Sequence, residues 1–253
     1  MKVQLFSDLH LEMQGFYFIP ESDADVIILA GDIGVGLEGL EWAIEQANKL
    51  DKPIIYVAGN HEFYRHHYQT LLAELRALAE TCENIYFLEN DEVQIKGARF
   101  LGTTLWTDYV VDGKTKQDFN MQVIGHMLND HRMIGFGDDR YDFTPKDALG
   151  LHKSSTTWLE EKLSEPFSGK TVVVTHHGPS LKCAHLDYGL DHLSAGFLSD
   201  CESLVEQADL WCFGHTHSSL DVSIGKCRLV SNQKGYPRET LPVAFNENLI
   251  IGV

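Results

Sequence analysis

A chain of 253 residues, 43% hydrophobic and 23% charged, can build one large domain with a substantial core and is too apolar to be disordered. Its 37 acidic against 20 basic residues give a net charge of −17. That charge disfavours a polyanionic partner, because nucleic-acid binding needs a Lys/Arg stripe and none is visible.

Residues 1–6 run straight into a first strand, which leaves no room for a signal peptide and makes the cytoplasm the expected compartment. From there to Asp25 the chain reads as loop, with Phe16, Tyr17 and Phe18 as packing residues. A second strand at 26–30 leads through a Gly-rich turn into an amphipathic helix over about 40–50, which Asp51-Lys52-Pro53 breaks. A third strand at 54–58 precedes helical spacing over about 68–81. Short strands follow at 85–88, 92–95 and 98–101, the last two joined by Lys96-Gly97 as a tight hairpin.

Between 103 and 166 the strand signal lapses. A helix is expected near 120–128, and Thr144 should cap another that starts at Pro145 and runs to about 163. This segment is expected to be an insertion or cap over the functional site, with Gly135, Gly137 and Asp138-Asp139 in a mobile loop. Strands at 172–175 and 210–213 come next, then a hairpin at 220–224 and 227–231 and a last strand at 249–251. No apolar run approaches the length of a membrane helix. Cys82, Cys183, Cys201, Cys212 and Cys227 have no close-pair spacing and are expected to be reduced and mostly buried.

Five strand-like runs end in Asp, Asn or His: Asp8-Leu9-His10, Gly31-Asp32, Gly59-Asn60-His61-Glu62, His176-His177 and Gly214-His215-Thr216-His217. Parallel sheets present their chemistry at such strand ends. Oxygen and imidazole donors without thiolates suit Mn, Fe, Zn, Co or Ni.

In this order, across nearly the whole chain, the motifs resemble the calcineurin-like metallophosphoesterase superfamily. The resemblance implies an α/β fold of four layers, an α/β/β/α sandwich with a central pair of mixed sheets, in one domain over 1–253. It also implies two divalent or trivalent transition-metal ions. One would take Asp8, His10 and His217, the other Asn60, His176 and His215, with Asp32 bridging them. The implied reaction is hydrolysis of phosphomonoesters or phosphodiesters by a hydroxide held between the ions, with His61 as general acid.

His176 rather than His177 matches the family pattern, since Pro179 follows at the right distance; His177 packs or faces substrate. Arg132 is the candidate for gripping a phosphate, because a guanidinium can bind one bidentately. Trp106, Asp108, His126, Asn129, Asp130 and His131 are secondary candidates, and Glu62 is expected to be structural. The stretch Asp32-Ile33-Gly34-Val35 lacks the second aspartate of the Ser/Thr protein phosphatases and the tyrosine ligand of purple acid phosphatases. A small phosphate ester is the expected partner, with nucleic acid and membrane disfavoured and the oligomeric state open. Two alternatives stay open: a nuclease of the same fold, against which the acidic surface argues, and a non-catalytic scaffold, against which the full ligand set argues.

Overall fold

The computed structural model describes residues 1–138 and 141–253. The chain opens with β1 (Lys2–Phe6), a single helical turn α1 (Leu11–Gln14), β2 (Val26–Ala30), α2 (Glu38–Leu50), β3 (Ile54–Val57), α3 (Tyr68–Ala79) and β4 (Ile85–Phe87). A hairpin of β5 (Asp91–Ile95) and β6 (Ala98–Thr103) follows, then α4 (Gln117–Met127), α5 (Asp130–Met133), a small ribbon of β7 (Gly135–Phe136) with β8 (Tyr141–Asp142), and α6 (Pro145–Ser164). The remainder is β9 (Lys170–Thr175), α7 (Glu202–Val205), β10 (Leu210–Phe213), β11 (Asp221–Ile224), β12 (Cys227–Ser231) and β13 (Ile250–Gly252).

Two large mixed sheets result, ordered β13-β1-β2-β3-β4 and β11-β12-β10-β9-β6-β5. Strand alternation divides the core. Val3, Leu5, Val26, Ile28, Ile55 and Val57 of the first sheet meet Phe100, Val172, Val174, Leu210 and Cys212 of the second in one dry layer. The residues between them, such as Ile27, Leu29, Tyr56, Val173 and Trp211, pack with helix residues in a second cluster. Helices α2 and α3 contact strands of the first sheet, and α6 contacts β6 of the second. This is the α/β/β/α sandwich, and it explains why the central strands read as unbroken apolar runs: both of their faces are covered.

Local chemistry sets most element ends. Lys96 (φ 48°) and Gly97 (φ 81°) both take the left-handed region, the turn whose twist suits a two-residue hairpin. Thr144 accepts from the Asp147 backbone N–H, and the Asp147 carboxylate accepts from the Thr144 N–H, a reciprocal box that starts α6. The stretch before Asp25 is not all loop, since α1 interrupts it. One turn is too short for periodicity to reveal it.

Segment 103–166 is divided in its role. Trp106, Ile124 and Leu159 are core residues, and among the described residues of the segment only Met127 to Asp130 line the cavity described below. Gly135 belongs to the β7–β8 ribbon, and Asp139 lies outside the described residues. All five cysteines are buried and free. No helix among the described residues is long and apolar enough to cross a membrane.

Candidate metal centre

The C-terminal ends of β1, β2 and β3 lie side by side in one sheet, and those of β9 and β10 lie side by side in the other. Directly after β1, β2 and β10 the backbone turns left-handed at Asp8 (φ 54°), His10 (45°), Asp32 (54°), His215 (70°) and His217 (48°). Each such residue costs about 1–3 kcal/mol, so the surroundings must hold it. They do. Asp8 accepts from the His215 backbone N–H at 3.0 Å, and Asp32 Oδ1 accepts from the His61 N–H at 2.9 Å. The loops pass so close that a Cβ at Gly31 would sit 2.3 Å from His176 Nδ1, and one at Gly59 2.1 Å from Asp32 Oδ1.

Glu62 ties the ends of β2 and β3 together. Its fully buried carboxylate accepts from the backbone N–H groups of Asp32 (3.1 Å), Ile33 (2.9 Å) and Gly59 (2.7 Å), and from the Tyr56 hydroxyl (2.9 Å). The structural role expected of this residue is therefore a clamp on the loop that carries Asp32. Glu62→Ala would strand four buried donors, and we expect it to destabilise the fold by about 3–5 kcal/mol in urea unfolding. A loss under about 1 kcal/mol, the worth of one ordinary hydrogen bond, would mean the clamp does not matter.

Two donor clusters converge at the strand ends: Asp8, His10 and His217, and Asp32, His176 and His215, each with its ligand atoms within 4.8 Å of one another. Asp32 faces both. Its Oδ1 is 3.3 Å from His176 Nε2 and its Oδ2 is 3.9 Å from His10 Nε2. Asn60 joins the second cluster with Oδ1 3.1 Å from His176 Nε2, while its Nδ2 donates to Asp130 at 2.9 Å. That second bond settles which way the amide points.

The outer nitrogen of every imidazole is engaged. His176 Nδ1 meets the Ala30 carbonyl (3.0 Å), His215 Nε2 the Gly196 carbonyl (3.4 Å), His10 Nδ1 Glu12 (3.3 Å) and His217 Nδ1 Glu239 (2.7 Å). With the protons assigned to those bonds, His176 Nε2 and His215 Nδ1 face each other as lone pairs at 3.1 Å. His10 Nε2 and His217 Nε2 do the same at 3.3 Å. Facing lone pairs repel until a cation or a shared proton lies near them, so this donor set fits metal ions.

The electrostatics agree. Burial opposes a charge on His176, but Asp32 and Asp8 outweigh it and lift the imidazole to about 9. Burial likewise opposes His217, while Asp8 and Glu239 raise it to about 10. Burial and the neighbouring His177 and His176 push His215 well below the usual range. The carboxylates therefore call for positive charge at the centre, which ions would supply in place of protons.

His61 stands beside the clusters. Its Nδ1 is 3.2 Å from Glu12 Oε1, and its Nε2 is 3.1 Å from the Tyr236 hydroxyl and 3.9 Å from Asp32 Oδ2. One Glu12 oxygen thus serves both His10 and His61, and those two imidazoles hold its carboxyl down at about 2 against the effect of burial.

Of the other candidates, Asn129 and Asp130 line the cavity, and the rest are turned away from it. His177 is buried behind the cluster, its Nδ1 on the Thr104 carbonyl (3.1 Å) and its ring 4.2 Å from that of His215. Arg132 is outside the cavity lining; its guanidinium donates to the His126 carbonyl (3.0 Å) and Asn129 Oδ1 (2.9 Å), closing the end of α4. His126 and His131 bond to the carbonyls of Gln122 and Phe143, and neither lines the main cavity.

Sequence reasoning missed Glu12, Glu239 and Tyr236, and a wall of the cavity that residues 185–198 provide. Glu12 left a trace, two residues beyond His10 in the spacing Asp8-x-His10-x-Glu12, and Tyr236 left one in the pair Gly235-Tyr236.

A family model of calcineurin-like phosphoesterases matches residues 1–219. The chain belongs to that family. As a calcineurin-like phosphoesterase it is a metal-dependent enzyme of phosphate-ester chemistry. An uncharacterized protein of Acanthamoeba polyphaga mimivirus, L509, is 23% identical over 92% of this chain and 90% of its own length. Among solved structures, a phosphopantetheinyl hydrolase from Mycobacterium tuberculosis superimposes with a TM-score of 0.74 at 18% identity, covering 94% of this chain and 90% of its own. A dimetal phosphatase from Danio rerio gives 0.53 at 14% identity, over 92% and 87%. At these identities the two structures speak for the fold alone.

Proposed function

We propose that this calcineurin-like phosphoesterase is a dinuclear hydrolase of small phosphate esters. Asp8, His10 and His217 hold one ion, Asn60, His176 and His215 the other, and Asp32 is shared. The observation that carries this reading is the placement of the Asp32 oxygens, one toward each cluster, 3.3 Å from His176 and 3.9 Å from His10. Bound there, two ions of the Mn, Fe, Zn, Co or Ni type would supply Lewis acidity toward the phosphoryl oxygens and lower the pKa of a water.

The chain's own groups do the rest. Asn60 contributes an amide oxygen, a ligand without charge, so the pair of carboxylates Asp8 and Asp32 does not cancel the positive field that an anionic ester needs. Glu12 fixes the His61 imidazole by Nδ1, leaving Nε2 aimed at the cavity. From there His61 hands a proton to the departing oxygen, and the Tyr236 hydroxyl at 3.1 Å holds that nitrogen in place.

Metal analysis of the purified protein tests the reading. It should find two ions per chain, and exhaustive chelation should abolish hydrolysis of 4-nitrophenyl esters until Mn²⁺ is returned. Hydrolysis that survives chelation, or a single ion at saturation, would remove the proposal.

A further inference from the structure

The cavity over the metal centre has a volume of about 490 Å³, the size of an ordinary small-molecule site. Its two sides differ. Asp32, Asn60, His61, His215 and His217 line its metal end, and stretches 127–130 and 185–198 line the rest, with Met127, Leu128, Leu193, Phe197 and Leu198 as an apolar wall and His185, Asp191 and Ser194 as polar groups beside it. The Phe197 ring lies stacked on His215, with centroids 4.7 Å apart, so the wall begins where the metal end stops.

No lysine or arginine is found among the described residues that line this cavity, but three carboxylates beyond the metal centre are, Asp130, Asp191 and Glu239. Each is anchored within the protein through one carboxylate oxygen. Asp130 accepts from Asn60 and from the Tyr64 hydroxyl, Asp191 from the backbone N–H groups of Leu193 and Ser194, and Glu239 from His217 and the Tyr236 N–H. Their charge remains, and it faces the substrate.

A phosphate monoester is close to a dianion at neutral pH, because its second pKa is about 6. A polyphosphate carries more charge, and a diester carries one. Sites that accept the extra charge supply guanidinium forks or ammonium groups. This one supplies carboxylates and an apolar wall. We propose that the site selects monoanionic phosphodiesters bearing one uncharged, apolar arm, which lies along Met127, Leu128 and Leu193. The proposal rests on the phosphoesterase reading above.

Hydrolysis then adds water across one P–O bond. The water oxygen bonds to phosphorus, the other ester oxygen leaves with a proton, and the product is a monoester that keeps the apolar arm. That product acquires a second negative charge in a cavity of fixed carboxylates, which favours its release.

Three probes with one leaving group test this on the Mn²⁺-loaded protein: butyl 4-nitrophenyl phosphate, methyl 4-nitrophenyl phosphate and 4-nitrophenyl phosphate. kcat/KM should fall in that order. Butyl should exceed methyl by about tenfold or more, since each buried methylene is worth up to about fourfold. Leu193→Ala should erode the butyl advantage and spare the methyl ester. Met127→Ala, at an exposed position whose loss does not threaten folding, should do so in part. A monoester hydrolysed as fast as the butyl diester would overturn the proposal and leave the phosphoesterase reading standing. No nitrophenolate from any probe, with metal content confirmed, would overturn both.

Discussion

Asp32→Asn should strip both ions from the purified protein and abolish measurable hydrolysis. One unit of charge at about 4 Å is worth about 4 kcal/mol at an effective dielectric of 20, or roughly a thousandfold in affinity for each ion. The substitution is otherwise mild. Asparagine tolerates the left-handed backbone at this position (φ 54°), and its amide oxygen can still accept from the His61 N–H. The metal-free variant should still unfold in one cooperative transition, at a temperature lowered by the loss of the buried Asp32–His176 pair, which separates a binding defect from a failure to fold. Loss of one ion with retention of the other would show that Asp32 belongs to a single cluster.

The second large effect is expected at His61 and depends on the leaving group. Nitrophenolate departs without help, whereas an alkoxide needs a proton. His61→Ala and His61→Gln should keep both ions and lose little on nitrophenyl esters. On alkyl or nucleoside esters they should lose about 10²–10⁴-fold, the worth of a positioned acid. Equal losses on both kinds of ester would mean that His61 positions the phosphoryl group or orders its loop and does not donate the proton.

The sandwich and the seven proposed ligands were legible because both are written in short stretches. A buried parallel strand is an apolar run of four or five residues, and its chemistry follows within four, as in residues 26–32 and 210–217. The groups that orient those ligands were not legible. Glu239 meets His217 across 22 residues and Tyr236 meets His61 across 175, so only the folded chain pairs them. Arg132 illustrates the converse. Its chemistry suits a phosphate, but the carbonyls at the end of α4 lie nearer and absorb its donors, a competition that sequence alone does not display. The apolar wall at 185–198 escaped notice because it has almost no regular structure, a single 3-10 turn at Ser194–Gly196, and so no periodicity.

The imidazoles of the centre are each held from behind by a group of the protein itself: Ala30, Gly196, Glu12 and Glu239. Their rotational freedom is thus lost when the chain folds and not when an ion arrives. Metal affinity is spared that entropic penalty, and the two apolar clusters of the sandwich give the chain a source of folding energy besides metal, in contrast to small domains that are random coil until loaded. The ions act on this protein as ordinary ligands of the native state. Each adds RT ln(1 + [M]/Kd) to stability, about 1.4 kcal/mol for every tenfold rise in free metal above Kd, so scarcity of metal would silence the enzyme well before it unfolded it.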